Sequence, residues 1–210
     1  MEKNILWSPE GKVCAFTGYR PAKMPFRSEN DPQCIALKMR LKDEIYDAIA
    51  DGCTDFLCGM ALGTDTWAAE AVLDVRETLE GIKPIRLHAY VPFRGQDEHW
   101  SAQSRKRYHR ILTACDSVTV ISEEYRPSCM EERNRAMVQR ADTLVAVFDG
   151  KKGGTANTIR MAHEKGIRLR IISPIPPQGI LPNAPVPTAP PEEKRVAEDQ
   201  LTLFPPEDKP

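Results

Sequence analysis

The sequence predicts an α/β fold in which helices cover both faces of a mostly parallel sheet, as a three-layer sandwich. Short apolar runs of strand length alternate along the chain with segments whose apolar residues recur at helical spacing. Strands that alternate with helices pair in parallel, because the chain must cross over between them. Three of the predicted strands also end in turns rich in glycine and hydroxyl residues. A hydrophobic content of 41% over 210 residues suits one such core.

The first half of the chain alternates in this way. Asp31-Pro32 is typical of a helix N-cap followed by proline at the first helical position, and apolar residues then recur at helical spacing as far as Gly52. The predicted elements are a strand at 13–16, a helix from 32, a strand at 54–58, a helix from 64 to about 79 and a strand at 85–92.

The second half continues the alternation. The predicted elements are a helix at 101–114, a strand at 118–121, a helix that includes 131–138, a strand at 144–148, a helix after 155 and a strand at 167–172. We therefore expect the folded domain to cover residues 1–173.

Three glycine turns, each at the end of a predicted strand, suit a phosphate ligand. Glycine lets backbone N–H groups approach a ligand closely, and a helix that begins directly afterwards adds its positive dipole end. Because parallel strands end at one edge of the sheet, we expect the turns to converge on one crevice. There the arginine and the amides would hold phosphates, the threonines would add hydroxyl donors and the aspartate would hold a sugar hydroxyl. The residues are Thr17, Gly18 and Arg20; Gly59, Gly63, Thr64 and Asp65; and Gly153, Gly154 and Thr155.

Ordinary structural roles remain open for these residues. A turn between a strand and a helix needs no ligand, and either Thr64 or Asp65 can cap the helix that follows. Arg20 can instead be a surface charge beside a proline turn. The helix around 131–138 brings Arg133 and Asn134 to the same edge, where Arg133 either completes the cleft or pairs with neighbouring acidic residues.

Composition and missing motifs exclude several classes. The chain contains neither G-x-G-x-x-G nor the Walker motif, so standard NAD and P-loop binding are not predicted. With 29 basic and 30 acidic residues, bulk charge gives no reason to expect a membrane or nucleic-acid surface. Six cysteines without a C-x-x-C pair indicate reduced core residues, and four scattered histidines do not indicate a metal site. The absence of a leader and of a long apolar run predicts a cytoplasmic protein.

Four sequence blocks, taken in order, carry a family resemblance. They are Thr17-Gly18-Tyr19-Arg20-Pro21, the loop at 58–70, the segment 129–138 and Gly153-Gly154-Thr155. This set is similar to the signature of the YpsA-like family within the SLOG superfamily, over roughly residues 12–173. The resemblance implies a Rossmann-like fold that binds a nucleotide or nucleotide-derived ligand, and no further cofactor is predicted. The superfamily includes the DNA-processing protein DprA and the LOG-type enzymes, which cleave nucleoside monophosphates to base and ribose phosphate.

The resemblance leaves three functions to compare. Binding or sensing of the ligand comes first. Cleavage of an N-glycosidic bond comes second, with Asp65, Glu70 and Glu131 as the available carboxylates. LOG-type enzymes have P-G-G-x-G-T-x-x-E at the third turn, whereas the four residues after Thr155 here, 156–159, include no glutamate. DprA-like binding to nucleic acid is not expected, because the net charge is −1 and no helix-turn-helix or aromatic platform is apparent.

Residues 174–210 hold 11 of the 18 prolines, which predicts a disordered tail. Gln200-Leu201-Thr202-Leu203-Phe204 places three large apolar side chains in this polar segment. The pentapeptide resembles the bacterial sliding-clamp-binding motif Q-L-S/D-L-F, which implies that Gln200, Leu201, Leu203 and Phe204 bind the DNA polymerase clamp. The alternative is that they dock on the protein's own sheet or on a second copy in a homodimer.

Overall fold

A computed structural model of the chain describes residues 7–175. Six strands and five α-helices alternate in it, and a short 3-10 helix, Pro21–Lys23, follows the first strand. The strands are β1 (Lys12–Thr17), β2 (Cys53–Cys58), β3 (Arg86–Val91), β4 (Ser117–Val120), β5 (Thr143–Val147) and β6 (Arg168–Ile172). The helices are α1 (Pro32–Ala50), α2 (Thr64–Thr78), α3 (Ala102–Ala114), α4 (Cys129–Arg140) and α5 (Gly154–Lys165).

The six strands form one sheet with the order β4-β3-β2-β1-β5-β6, and every neighbouring pair is parallel. The order reverses between β1 and β5, and such a reversal is the usual ligand position in open α/β sheets. All the loops that follow strands lie at this same edge, which is where the sequence predicted the glycine turns to meet.

Helices cover both faces of the sheet, which confirms the predicted α/β fold. Alternate residues of β1 show the division, because Cys14 and Phe16 join the core under α1, α2 and α3, whereas Val13 and Ala15 join the core under α4 and α5. Strands buried on both faces have near-continuous apolar sequences, and this is why the short apolar runs located them well. Their observed bounds differ from the predicted ones by at most one residue.

Helix capping agrees with the sequence prediction at α1 and differs at α2. The Asp31 carboxylate accepts a hydrogen bond from the Gln33 amide at 2.8 Å, as predicted. At α2 the N-cap is Gly63, with φ at +88°, and no side chain caps the helix. The prediction of Thr64 or Asp65 as the cap is therefore wrong, because Thr64 donates its hydroxyl to the loop after β1 and Asp65 accepts from Ala61 and Arg133.

All six cysteines are buried and free, as the sequence predicted. Within residues 7–175, no helix is long and apolar enough to cross a membrane. The same part of the chain holds no group of three or more residues suited to a metal ion.

A buried polar network connects β2, β3 and β4 on the face of the sheet that α4 covers. His88 donates through Nε2 to Asp55 at 2.9 Å, and its Nδ1 lies 2.7 Å from the Ser117 hydroxyl. Arg86 forms a two-point ion pair with Asp55 at 2.9 and 3.0 Å, and Trp7 stacks on His88 with ring centroids 3.7 Å apart. Burial raises the pKa of Asp55, but hydrogen bonds from His88, Arg86 and Thr54 outweigh it and lower the pKa to about 2.

Replacing Asp55 with Asn should destabilise the fold by about 2–3 kcal/mol in urea unfolding, because Arg86 and His88 lose a buried ionised acceptor while Arg86 keeps its pair with Glu10. The lowered pKa also means that the carboxylate stabilises the wild-type protein above about pH 4, and that this contribution is lost as the pH falls towards 2. The pH profile of stability for D55N should lack that acid-side component. The exposed Asp43→Asn variant is the matched control, and equal stability of the two variants would contradict the assignment.

Candidate functional site

The first two glycine turns are in direct contact at the carboxyl edge of the sheet. The carbonyl of Tyr19 accepts hydrogen bonds from the amide and the hydroxyl of Thr64, at 3.3 and 3.1 Å. Gly18 permits this approach, because a Cβ there would lie 2.4 Å from the Thr64 hydroxyl. Gly63 combines a positive φ with a position where a Cβ would lie 2.7 Å from the Tyr19 carbonyl oxygen. Close approach thus accounts for both glycines.

A buried ion pair braces the second turn from inside. Asp65 accepts hydrogen bonds from the Ala61 amide at 3.1 Å and from Arg133 Nη1 at 3.2 Å. The same Arg133 nitrogen donates to the carbonyl of Gly59, and any Cβ at Gly59 would collide with it. The side chains of Arg133 and Asp65 are only 8% and 9% exposed. They therefore hold the turn in place and face each other.

The loop after β3 supports the same turn. Gln96 is buried and donates through Nε2 to the carbonyl of Met60 at 3.0 Å. Met60 has a φ of +60°, the left-handed conformation that non-glycine residues seldom adopt. The turn therefore has a fixed and unusual backbone, stabilised from α4 and from the β3–α3 loop.

A cleft of about 710 Å³ opens beside this turn. Because the sheet order is β4-β3-β2-β1, the loops after β1 and β2 form one side of it and the loops after β3 and β4 form the other. The β1–β2 side consists of Arg20, Ala61 and Leu62, to which Met130 at the start of α4 is added. The β3–β4 side consists of Phe93, Arg94, Gly95, Gln96, Glu98, His99, Trp100, Glu123, Glu124 and Tyr125.

The third glycine turn lies beside this cleft, at the β1–β5 switch point. The Tyr19 hydroxyl donates to Asp149 and accepts from the Asp149 amide at 3.3 Å. A Cβ at Gly153 would lie 3.6 Å from Lys23 Nζ. Hydrogen bonds from Lys151 and Tyr19 lower the pKa of Asp149 to about 2, and burial together with the Asp149 contact raises the pKa of Tyr19. The switch point thus holds an ionised carboxylate with lysines beside it.

Helix starts at this edge differ in capping. Asp31 caps α1 and Ser101 caps α3, whereas α2, α4 and α5 have no side-chain cap. Backbone amides at an uncapped start point out of the helix, and the positive end of the dipole favours an anion there. Two of the uncapped helices, α2 and α4, begin at the cleft that contains Arg20.

Comparison with known proteins places this chain in a family. The YpsA family model, described as the YspA SLOG family, matches residues 14–170. The chain belongs to this SLOG family. Among curated relatives, the UPF0398 protein BH1768 of Halalkalibacterium halodurans is 33% identical over 146 residues, covering 69% of this chain and 76% of that protein. A UPF0398 protein of Bacillus thuringiensis is 30% identical over 156 residues, covering 73% and 83%.

Two solved structures of DNA processing protein A share the SLOG fold. The Helicobacter pylori protein, described for its single-stranded DNA binding mode, has a TM-score of 0.51 and 19% identity, covering 76% of this chain and 64% of that one. The Streptococcus pneumoniae protein has a TM-score of 0.50 and 18% identity, covering 81% and 52%. At this identity the likeness supports the fold.

The SLOG cleft does not bring together every residue that the sequence proposed for it. Arg20 is exposed and lines the cleft, with the Met130 sulfur 3.8 Å away. Asn134 instead donates to Thr158 at 3.0 Å, between α4 and α5. Glu70 accepts hydrogen bonds from Arg107 and Arg110 on α3, and Glu131 pairs with Arg135 one helical turn away at 2.7 Å. The three carboxylates proposed for catalysis, Asp65 included, are therefore all engaged by arginines.

Sequence reasoning missed the β3–β4 side of the SLOG cleft. Phe93, Trp100 and Tyr125 lie in segments that lack glycine and hydroxyl clusters, so the search for phosphate turns passed over them. Pro92 and Pro127, which flank these loops, were the available signals, because loops at the carboxyl ends of parallel strands commonly carry functional residues.

Replacing Arg133 with Met should lower the free energy of unfolding by about 3–5 kcal/mol, because Asp65 would remain buried without its counter-charge. The double variant R133M/D65N should lose less than the sum of the two single losses, measured by urea denaturation. Arg135→Met, which removes an exposed pair on the same helix, should change stability by less than about 1 kcal/mol. Strict additivity of R133M and D65N would show that the pair does not brace the turn.

Proposed function

We propose that this protein binds a nucleotide or a nucleotide-derived phosphorylated ligand in the cleft. One observation carries the proposal: the exposed guanidinium of Arg20 and the uncapped start of α2 lie on one side of a cleft whose other side is aromatic. A guanidinium matches two phosphate oxygens, and the helix start adds the positive end of its dipole. The Thr64 and Thr66 amides at this start already donate to the carbonyls of Tyr19 and Ala61. The volume falls within the range of about 300–1,000 Å³ that is usual for small-molecule sites.

The hydrogen bonds within the protein indicate which groups would contact the ligand and which hold the turn. Arg20 and the backbone around Leu62 and Gly63 would hold the first phosphate. Thr64 donates its hydroxyl to the Tyr19 carbonyl, so we assign it to the turn. The uncapped amides of Gly153, Gly154 and Thr155 would meet a second phosphate that extends from the first towards β5.

Binding ranks ahead of hydrolysis because each proposed catalytic carboxylate is held in an ion pair: Asp65 with Arg133, Glu70 with Arg107 and Glu131 with Arg135. A carboxylate that supports an oxocarbenium-like transition state must instead face the anomeric carbon. We expect no free base after incubation of the protein with nucleoside monophosphates, measured by chromatography. Release of base at a rate proportional to enzyme concentration would reverse the ranking.

We further propose that the protein reaches DNA through its tail, without direct nucleic-acid binding. Gln200, Leu201, Leu203 and Phe204, which lie outside the described residues, resemble a clamp-binding peptide in which Thr202 replaces Ser or Asp. A fluorescent peptide of residues 192–210 should bind purified bacterial sliding clamp saturably, with modest affinity, and a peptide with Leu203 and Phe204 changed to Ala should not. Equal signals from the two peptides would refute clamp recruitment. A salt-sensitive gel shift with single-stranded DNA would refute the indirect route.

Changing Arg20 to Ala should abolish the increase in Tm that a bound nucleotide produces, because the main phosphate contact is lost. The Tm of the free protein should move by less than about 2 °C, since an exposed charge contributes little to folding. Arg160→Ala, which removes an exposed arginine that pairs with Glu164 on α5, is the matched control. A large fall in the Tm of free R20A would instead assign Arg20 a structural role.

A further inference from the structure

The β3–β4 side of the cleft has an aromatic surface of three side chains, Phe93, Trp100 and Tyr125. Phe93 and Tyr125 meet edge to face, with ring centroids 5.3 Å apart and planes at 77°. Trp100 is held in the same way by Tyr108, also at 5.3 Å. Tyr125 nevertheless leaves 58% of its area exposed. An exposed ring beside a cleft can stack on a planar ligand group.

Charge on this side indicates how the ligand is oriented. Glu98, Glu123 and Glu124 line the cleft here together with Arg94, which pairs with Glu123. Carboxylates therefore outnumber guanidinium groups on this side, and a phosphate next to them would be repelled. Arg20, on the opposite side, attracts it. A nucleotide in the cleft therefore places its phosphate at the β1–β2 side and its base at the β3–β4 side.

The polar side chains that line this side of the cleft include a carboxylate, Glu98, and a guanidinium, Arg94. Arg94 forms a two-point pair with Glu123, at 2.7 and 3.2 Å, which fixes the guanidinium at the cleft. Its hydrogen bond to Arg94 lowers the pKa of Glu123, which keeps that carboxylate ionised. Among the described residues, no cation pairs with Glu98. Its carboxylate folds over Gly95, where a Cβ would lie 2.4 Å from Oε1, in a turn closed by the Glu98 amide and the Gly95 carbonyl at 3.0 Å.

The hydrogen-bonding edge of guanine complements a carboxylate and a guanidinium such as those of Glu98 and Arg94. Its edge carries two adjacent donors, N1–H and the N2 amino group, which the two oxygens of one carboxylate can accept together. Its O6 and N7 are acceptors that suit a guanidinium. Adenine would turn the N1 lone pair towards the carboxylate, and uracil would offer it only one donor, N3–H, between two carbonyl oxygens. Cytosine offers one amino donor beside an acceptor nitrogen.

We propose that the cleft recognises a guanine nucleotide, with Glu98 accepting from N1–H and N2–H, Arg94 donating to O6, and Tyr125 stacking on the base. This inference rests on the proposed function, since it requires that a nucleotide occupies the cleft. It adds which base is bound and which residues select it.

Isothermal titration of the full-length protein with the 5′-mono- and diphosphates of guanosine, inosine, adenosine, cytidine and uridine tests the proposal. We expect guanosine nucleotides to bind at least about tenfold more tightly than the others, inosine nucleotides included, because inosine lacks the N2 amino group. Glu98→Gln should weaken guanosine binding by about 10- to 100-fold and leave adenosine binding almost unchanged. The matched control is Glu77→Gln, an exposed site near the end of α2.

Two further variants separate stacking from base selection. Tyr125→Ala should weaken the binding of all the nucleotides by a similar factor, because every base has a face that stacks on an aromatic ring. Tyr125→Phe keeps the ring and should retain binding. If nucleotides bind without base preference, or if E98Q keeps the guanosine preference, the assignment of guanine is overturned and nucleotide binding stands. If no nucleotide binds the wild-type protein, both proposals are overturned.

Discussion

The buried ion pair between Asp65 and Arg133 is the interaction on which the geometry of the site depends. It joins residues 68 apart in sequence and connects α4 to the turn after β2. Removing two charges from water is expensive, and their attraction compensates only where further hydrogen bonds complete the pair. The Gly59 carbonyl and the Ala61 amide supply those bonds. Because each bond has a narrow range of geometry, the ion pair fixes the turn in one conformation.

A fixed turn changes what the cleft can bind. Asp65 would place a negative charge where a phosphate is proposed, but Arg133 neutralises it and takes it out of solvent. Arg20 then remains the exposed charge on the β1–β2 side of the cleft among the described residues. The strained φ of Met60, supported by Gln96, lies in the same turn. The turn therefore loses its conformational entropy when the chain folds and need not be ordered by the ligand, so more of the interaction energy contributes to the free energy of binding.

The sequence predicted the fold closely and the site only in part. Strands such as β5 are buried on both faces, so their apolar runs appear directly in the sequence, and Asp31-Pro32 marks the start of α1 by local chemistry. The sequence analysis also located Gly18, Gly59 and Gly63. Atoms of other residues lie so close to these three positions that a side chain larger than that of glycine does not fit. The pairing of Asp65 with Arg133 depends on how α4 is rotated over the sheet, which spacing along the chain does not encode. Tyr125 and Glu98 belong to loops whose conformation follows from tertiary contacts.

Topology alone would place the ligand between β1 and β5, but side chains occupy that position. Tyr19 is buried there, packs near Phe148 with ring centroids 6.2 Å apart, and bonds to Asp149 across the reversal of strand order. The free volume lies instead over β1 to β4, where the loops after β3 and β4 are long enough to form a second side. The first turn thus has two functions: Tyr19 closes the switch point, and Arg20, the next residue, points its charge into the adjacent cleft. Tyr19 is buried and Arg20 is exposed. Adjacent residues of one loop therefore divide two roles, since the first stabilises the sheet edge and the second is available to a ligand.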